Sequence, residues 1–208
     1  MKKSIVLLIS LFFISALSVL ILKNLEDTNS YINEQNSKFN KAQTLVLIKN
    51  LQMQISDIFK NYEDKIDSII ESQLYEYFPL QIDEINMLFK ILPYDKVNIN
   101  NLISKNEVEK KEIKKFFEDN DIYNTEVLGS LIKEKNVNSN KQLDDIIDIF
   151  IKETYNNKIL EVRNDIGFIS DEKLYELFIK IDFIKEFVKA YYILNNKGEV
   201  KYFELSFK

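Results

Sequence analysis

Between Lys3 and Lys23 the chain runs from Ser4 to Leu22 without a charged side chain. About 19 helical residues at ~1.5 Å each come close to the ~30 Å of a bilayer's hydrocarbon core. The run therefore predicts a single transmembrane helix. A cleaved signal peptide, with removal after Ser18, fits less well, because Val19 to Leu22 continue the apolar stretch. Lys2 and Lys3 precede the run and Glu26 and Asp27 follow it, which predicts a cytoplasmic N-terminus and an exported body. The expected placement is a single membrane pass with the body outside the cytoplasm.

The next punctuation by Pro or Gly is Pro79. Leu45, Ile48, Leu51, Ile55, Ile58, Phe59, Tyr62, Ile66, Ile69 and Ile70 recur at steps of three and four, the signature of an amphipathic helix. The polar stretch Asn24 to Asn40 also lacks helix breakers, so one continuous rod is expected through it. After Pro79 the period changes. A strand is predicted near Phe89 to Leu92, then a turn at Pro93 and Asp95 and an extended exit at Val97 to Asn100. Helical spacing returns over Val108–Glu118, Thr125–Lys135, Lys141–Tyr155 and Ser170–Ile184, with Ser170 as a partial N-cap. Residues 187 to 207, divided at Asn195-Asn196-Lys197-Gly198, read as a terminal β-hairpin.

The expected fold is thus α+β. A long N-terminal helix, transmembrane over 1–22 with its stub and amphipathic over 23–78, precedes a globular domain over 79–208. That domain is a small antiparallel sheet with a helical subdomain inserted over about 105–184.

The chemistry open to the chain is narrow. It has neither His nor Cys, so it cannot build a Ser-His-Asp triad, a Cys-His pair or an ordinary zinc site. Its glycines, Gly129, Gly167 and Gly198, are isolated and form no phosphate loop. Asp144, Asp145 and Asp148 make the densest acidic patch. Asp145 and Asp148 share a helix face where calcium is conceivable, but they read better as the solvated back of the stripe Leu143, Ile146, Ile147, Phe150 and Ile151. With 28 basic and 33 acidic residues, net −5, the chain has no electrostatic reason to bind nucleic acid. Tyr75, Tyr77, Phe78, Tyr191, Tyr192, Tyr202 and Phe203 are expected to pack in the core and hairpin rather than to stack bases. No enzyme activity is expected.

The basic stub, the apolar helix running into an amphipathic one, the small C-terminal sheet, and Phe89-Lys-Ile-Leu-Pro-Tyr-Asp-Lys-Val-Asn-Ile-Asn-Asn-Leu102 together resemble the K-type minor pseudopilins of type II secretion systems. In that family a strand leads through an acidic turn to an Asn-apolar-Asn motif before an inserted helical domain. Val97-Asn98-Ile99-Asn100 falls in that place. The resemblance implies a structural subunit at the tip of a secretion fibre, acting in protein export, with its single pass in the bacterial inner membrane and its body in the periplasm. Its implied partners are other minor pseudopilins, inner-membrane assembly proteins and a prepilin peptidase. Processing would fall between Ser4 and Ile5, with Ser4 where the family has glycine or, less often, alanine. The fifth residue after that cut is Ile9 rather than the glutamate of major pilins, and K-type subunits are similar in lacking it. No cofactor is implied beyond calcium, for which no ligands can be assigned. A different reading is a membrane-anchored periplasmic sensor or tether, with a coiled-coil stalk over Asn24 to Ile70 whose apolar spacing is clearest from Leu45.

Overall fold

The computed structural model describes residues 2–62, 65–70, 76–82, 85–134, 136–170, 173–183 and 186–207, with the side chains of 2–12, 82 and 186 left undescribed. Helix α1 spans Lys2–Asn61 without interruption. The polar stretch 24–40 holds the helix because it contains no breaker, and its hydroxyls bond backward along it: Thr28 Oγ1 donates to the Asn24 carbonyl at 2.7 Å.

Among the described residues no helix is long and apolar enough to cross a membrane. This overturns the transmembrane helix expected over 4–22 and the single-pass inner-membrane placement drawn from it. The same helix then passes straight into Lys23, Asn24, Glu26 and Asp27.

The amphipathic part ends earlier than the sequence suggests, at Asn61 rather than near 78. A single turn, α2 (Ile66–Ile69), follows and buries Ile66. Strand β1 (Phe78–Ile82) then begins at the position before Pro79, where proline forbids helix. Its edge position in the sheet tolerates the missing N–H. β1 pairs antiparallel with β2 (Ile85–Pro93), Leu80 opposite Met87.

β2 leads to the two-residue β3 (Val97–Asn98) and a three-ten turn over Ile99–Ile103. Three helices follow, α3 (Glu107–Asp119), α4 (Thr125–Glu134) and α5 (Asn140–Thr154), close to their expected bounds. Strand β4 (Ile166–Gly167) pairs parallel with β3. β5 (Leu174–Phe183), β6 (Glu186–Asn195) and β7 (Val200–Phe207) complete a five-stranded antiparallel sheet in the order β1-β2-β5-β6-β7. The expected hairpin is β6 and β7, with Gly198 at φ 74° in its turn.

β5 corrects the fourth expected helix. Leu174, Leu177, Phe178 and Ile181 satisfy a helical period, but Leu177, Ile179, Ile181 and Phe183 also alternate. As an inner strand of the sheet, β5 buries Leu174 to Leu177 consecutively and then every second residue. Ser170 caps no helix; its Oγ accepts from Asn98 Nδ2 at 2.9 Å.

The chain divides into two compact units. The first comprises residues 1–90, 177–192 and 203–208, with Ile48, Leu51, Ile55, Phe59, Ile179 and Ile181 in its core. The second comprises 91–176 and 193–202, and its core holds Ile99, Phe117, Leu128, Leu143 and Phe150, all essentially without solvent contact.

Candidate assembly interface

α1 buries one face over its last third only. Thr44, Ile48, Leu51, Gln52, Ile55, Ser56 and Phe59 are buried, at helical spacing. Of the apolar positions expected on that face, Leu45, Ile58 and Tyr62 are exposed instead. Polar side chains take their share of the buried face because each is bonded: Thr44 Oγ1 donates to the Asn40 carbonyl at 2.9 Å, and Gln52 Nε2 donates to Ser56 Oγ at 2.6 Å.

From Phe13 to Asn36 every residue of α1 is exposed. Phe13, Ile14, Leu17, Val19, Leu20, Ile21, Leu22 and Leu25 each leave more than half of their surface to solvent. The polar groups among them are partly withdrawn, since Ser18 Oγ donates to the Ile14 carbonyl at 2.8 Å. Farther on, the Lys38 ammonium lies 2.7 Å from Glu34, and that hydrogen bond holds the Glu34 carboxyl below its ordinary range. Contiguous exposed apolar side chains of this kind mark surfaces that contact another protein or a membrane. The run expected to face lipid is the first part of this surface, and Leu25, Ile32, Phe39, Val46 and Met53 continue it at a seven-residue spacing within the stretch read alternatively as a stalk.

The other residues singled out by sequence go elsewhere. Ser4 and Ile5 lie in the helical backbone of α1, and their side chains fall outside the described residues. Asp145 and Asp148 are exposed on the back of α5, while Asp144 accepts from Arg163 Nε at 2.6 Å. Among the described residues no group of three or more acidic side chains is placed to hold a metal ion.

Asn98 and Asn100 form a staple. The Asn100 amide donates to the carbonyls of Val137 at 3.0 Å and Phe168 at 3.2 Å, and its Oδ1 accepts from Val137 N–H at 3.2 Å. Asn98 Oδ1 caps the three-ten turn by accepting from Asn100 N–H at 3.0 Å. The Asn-Ile-Asn motif thereby ties β3 to the loop before α5 and the loop after β4.

Beside it, the Tyr94 hydroxyl accepts from Phe168 N–H at 3.3 Å, and burial pushes its phenol above the ordinary value. A Cβ on Gly167 would lie 1.9 Å from that hydroxyl oxygen. Lys96 and Glu176 make an ion pair of 2.8 Å with the carboxylate nearly buried.

The aromatic residues also have internal duties. Lys180 and Lys90 stand 3.8 and 5.2 Å over the Tyr77 ring, Phe78 packs on Phe89, and Phe178 on Tyr191. Tyr192 stacks on Phe203 at 4.6 Å, and Phe168 meets Tyr202 edge-on at 4.9 Å. Tyr75 lies outside the described residues. At the end of α5, Lys158 is paired with Asp121, which raises the lysine and lowers the carboxyl relative to their ordinary values. That ammonium is therefore held charged, in the form that cannot act as a base.

No family model, curated protein or solved structure matches the chain. The functional reading accordingly rests on the surface of α1.

Proposed function

We propose that the chain is a structural subunit of a helix-packed assembly, pseudopilin-like, set at the tip of a type II secretion or related fibre and acting in protein export. The observation that carries this reading is the exposed apolar surface of α1 from Phe13 to Leu25. Burying apolar surface is worth about 25 cal/mol per Å², so such a row of side chains is a large stabilisation that the isolated chain forgoes. Neighbouring subunits of a fibre recover it.

The partners on this reading are other minor pseudopilins. A tether with its stalk over Asn24 to Ile70 fits less well, because Ile48, Leu51, Ile55, Phe59, Ile66 and Ile70 are buried in the chain's own core. The test is deletion of the gene together with photo-crosslinking from Leu17 and Leu20 in the native cell. Loss of export and crosslinks to fibre subunits are the expected results. Intact export with no crosslink to a fibre subunit overturns the reading.

A further inference from the structure

Leu25, Ile32, Phe39, Val46 and Met53 are seven residues apart and all exposed. At ~100° per residue they lie on the side of α1 opposite Ile48 and Ile55, which are buried. Placing the five at the d positions of a heptad puts Leu22, Asn29, Asn36, Gln43 and Asn50 at a. Most of the residues that α1 buries in its own body then fall on the outer positions, Thr44 and Leu51 at b, Gln52 and Phe59 at c, Ile48 and Ile55 at f, while Ser56 falls at g beyond the last d position, Met53. One side of α1 belongs to the body, and the other is an open coiled-coil seam.

We infer that this seam pairs with the same seam of a second copy, as a parallel, in-register two-stranded coiled coil over Leu22 to Met53. The inference rests on α1 being the assembly element proposed above, and it adds a second copy of this chain to the partners named there. The a positions identify the occupant. A carboxamide carries both donors and an acceptor, so Asn29, Asn36, Gln43 and Asn50 satisfy themselves when each faces its own copy. A partner with apolar residues at a would leave these amides buried and unpaired. An antiparallel copy would set them against Leu, Ile and Phe. Charge agrees with self-pairing, because the flanking e and g positions from Glu26 to Gln54 carry only Glu26 and Lys49, which oppose no like charge in the parallel register.

The chain has no cysteine of its own, so single cysteines report the pairing directly. Oxidation of full-length Leu25→Cys and of Met53→Cys is expected to give disulfide dimers of each, while a mixture of the two gives no 25-to-53 crosslink. Sedimentation equilibrium of the unmodified chain is expected to show a dimer. Phe39→Asp should raise its dissociation constant by about a hundredfold or more, since two unpaired carboxylates enter the seam. Asn36→Ile should lower it, an apolar β-branched residue replacing an amide at a. A wild-type chain that stays monomeric, or a 25-to-53 crosslink, overturns the inference. If the chain is monomeric yet Phe39→Asp still abolishes crosslinking to fibre subunits and export, the coiled-coil partner is wrong and the assembly reading stands. If neither changes, both fall.

Discussion

Helices α3 to α5 and helix α1 solve the problem of being a helix in opposite ways. The three short helices are finished within the fold, and two of them are signalled at their start. Asn106 and Ser139 cap α3 and α5 by accepting from Val108 and Gln142 N–H, and Ile113, Phe117, Leu128, Ile132, Leu143 and Phe150 have almost no solvent contact. α1 is four times the length of α5, and only its last third is buried in the chain. A helix whose stripe is wholly spent inside the molecule contributes stability; one whose apolar side chains remain outside holds binding energy in reserve.

That contrast can be broken by substitution, and the largest effect should come from the braced body. Gly167→Ala drives a Cβ into the Tyr94 hydroxyl, and a loss of about 3 kcal/mol or more is expected from the forced repacking. Denaturant midpoints of the variant and the parent check it. Asn100→Ala removes the staple and orphans the Val137 and Phe168 groups it joins, with an expected cost of about 2 to 3 kcal/mol.

A further loss is expected in alkali. Burial pushes Tyr192 up to about 12 and Tyr94 upward as well. Both phenols hold their protons more tightly folded than unfolded. Their contribution is therefore complete below about pH 10, the ordinary tyrosine value, and is lost as pH rises through the folded values. Tyrosinate absorbance followed together with circular dichroism should show ionisation coinciding with unfolding; ionisation of both phenols in a chain that stays folded would contradict it.

Ser139→Ala should cost about 1 kcal/mol, the usual value of a lost cap. Phe39→Asp, by contrast, should leave the monomer's stability within about 0.5 kcal/mol, because the side chain is exposed in the single chain. A large loss from that change in a monomer would erase the distinction between the two kinds of helix.

The same contrast explains what the sequence disclosed. α3, α4 and α5 were legible because their helical period and their burial agree. The β6–β7 hairpin was legible because Asn195 to Gly198 mark a turn between alternating runs, and Asn195 Oδ1 accepts from both Lys197 and Glu199 N–H there. β5 was not, since its apolar residues fit two periods and only their place inside a sheet chooses between them. The end of α1 at Asn61 has no Pro or Gly to announce it. The first helix misled through composition alone: an uncharged run reads as lipid-facing whether its eventual neighbour is lipid or protein. Asn98 and Asn100 stood out as a motif, but their work, bonding to segments 37 and 68 residues away, is invisible until those segments are in place.

The exposed stretch of α1 has a consequence for the lifetime of the protein. A helix held by few tertiary contacts opens often, and its amides exchange and its peptide bonds are cut from the opened form. On the proposed reading, a copy without a partner is thus the copy most readily degraded, and pairing closes the cleavage sites. Supply would be matched to demand by turnover, with the number of surviving subunits set by the places available to receive them.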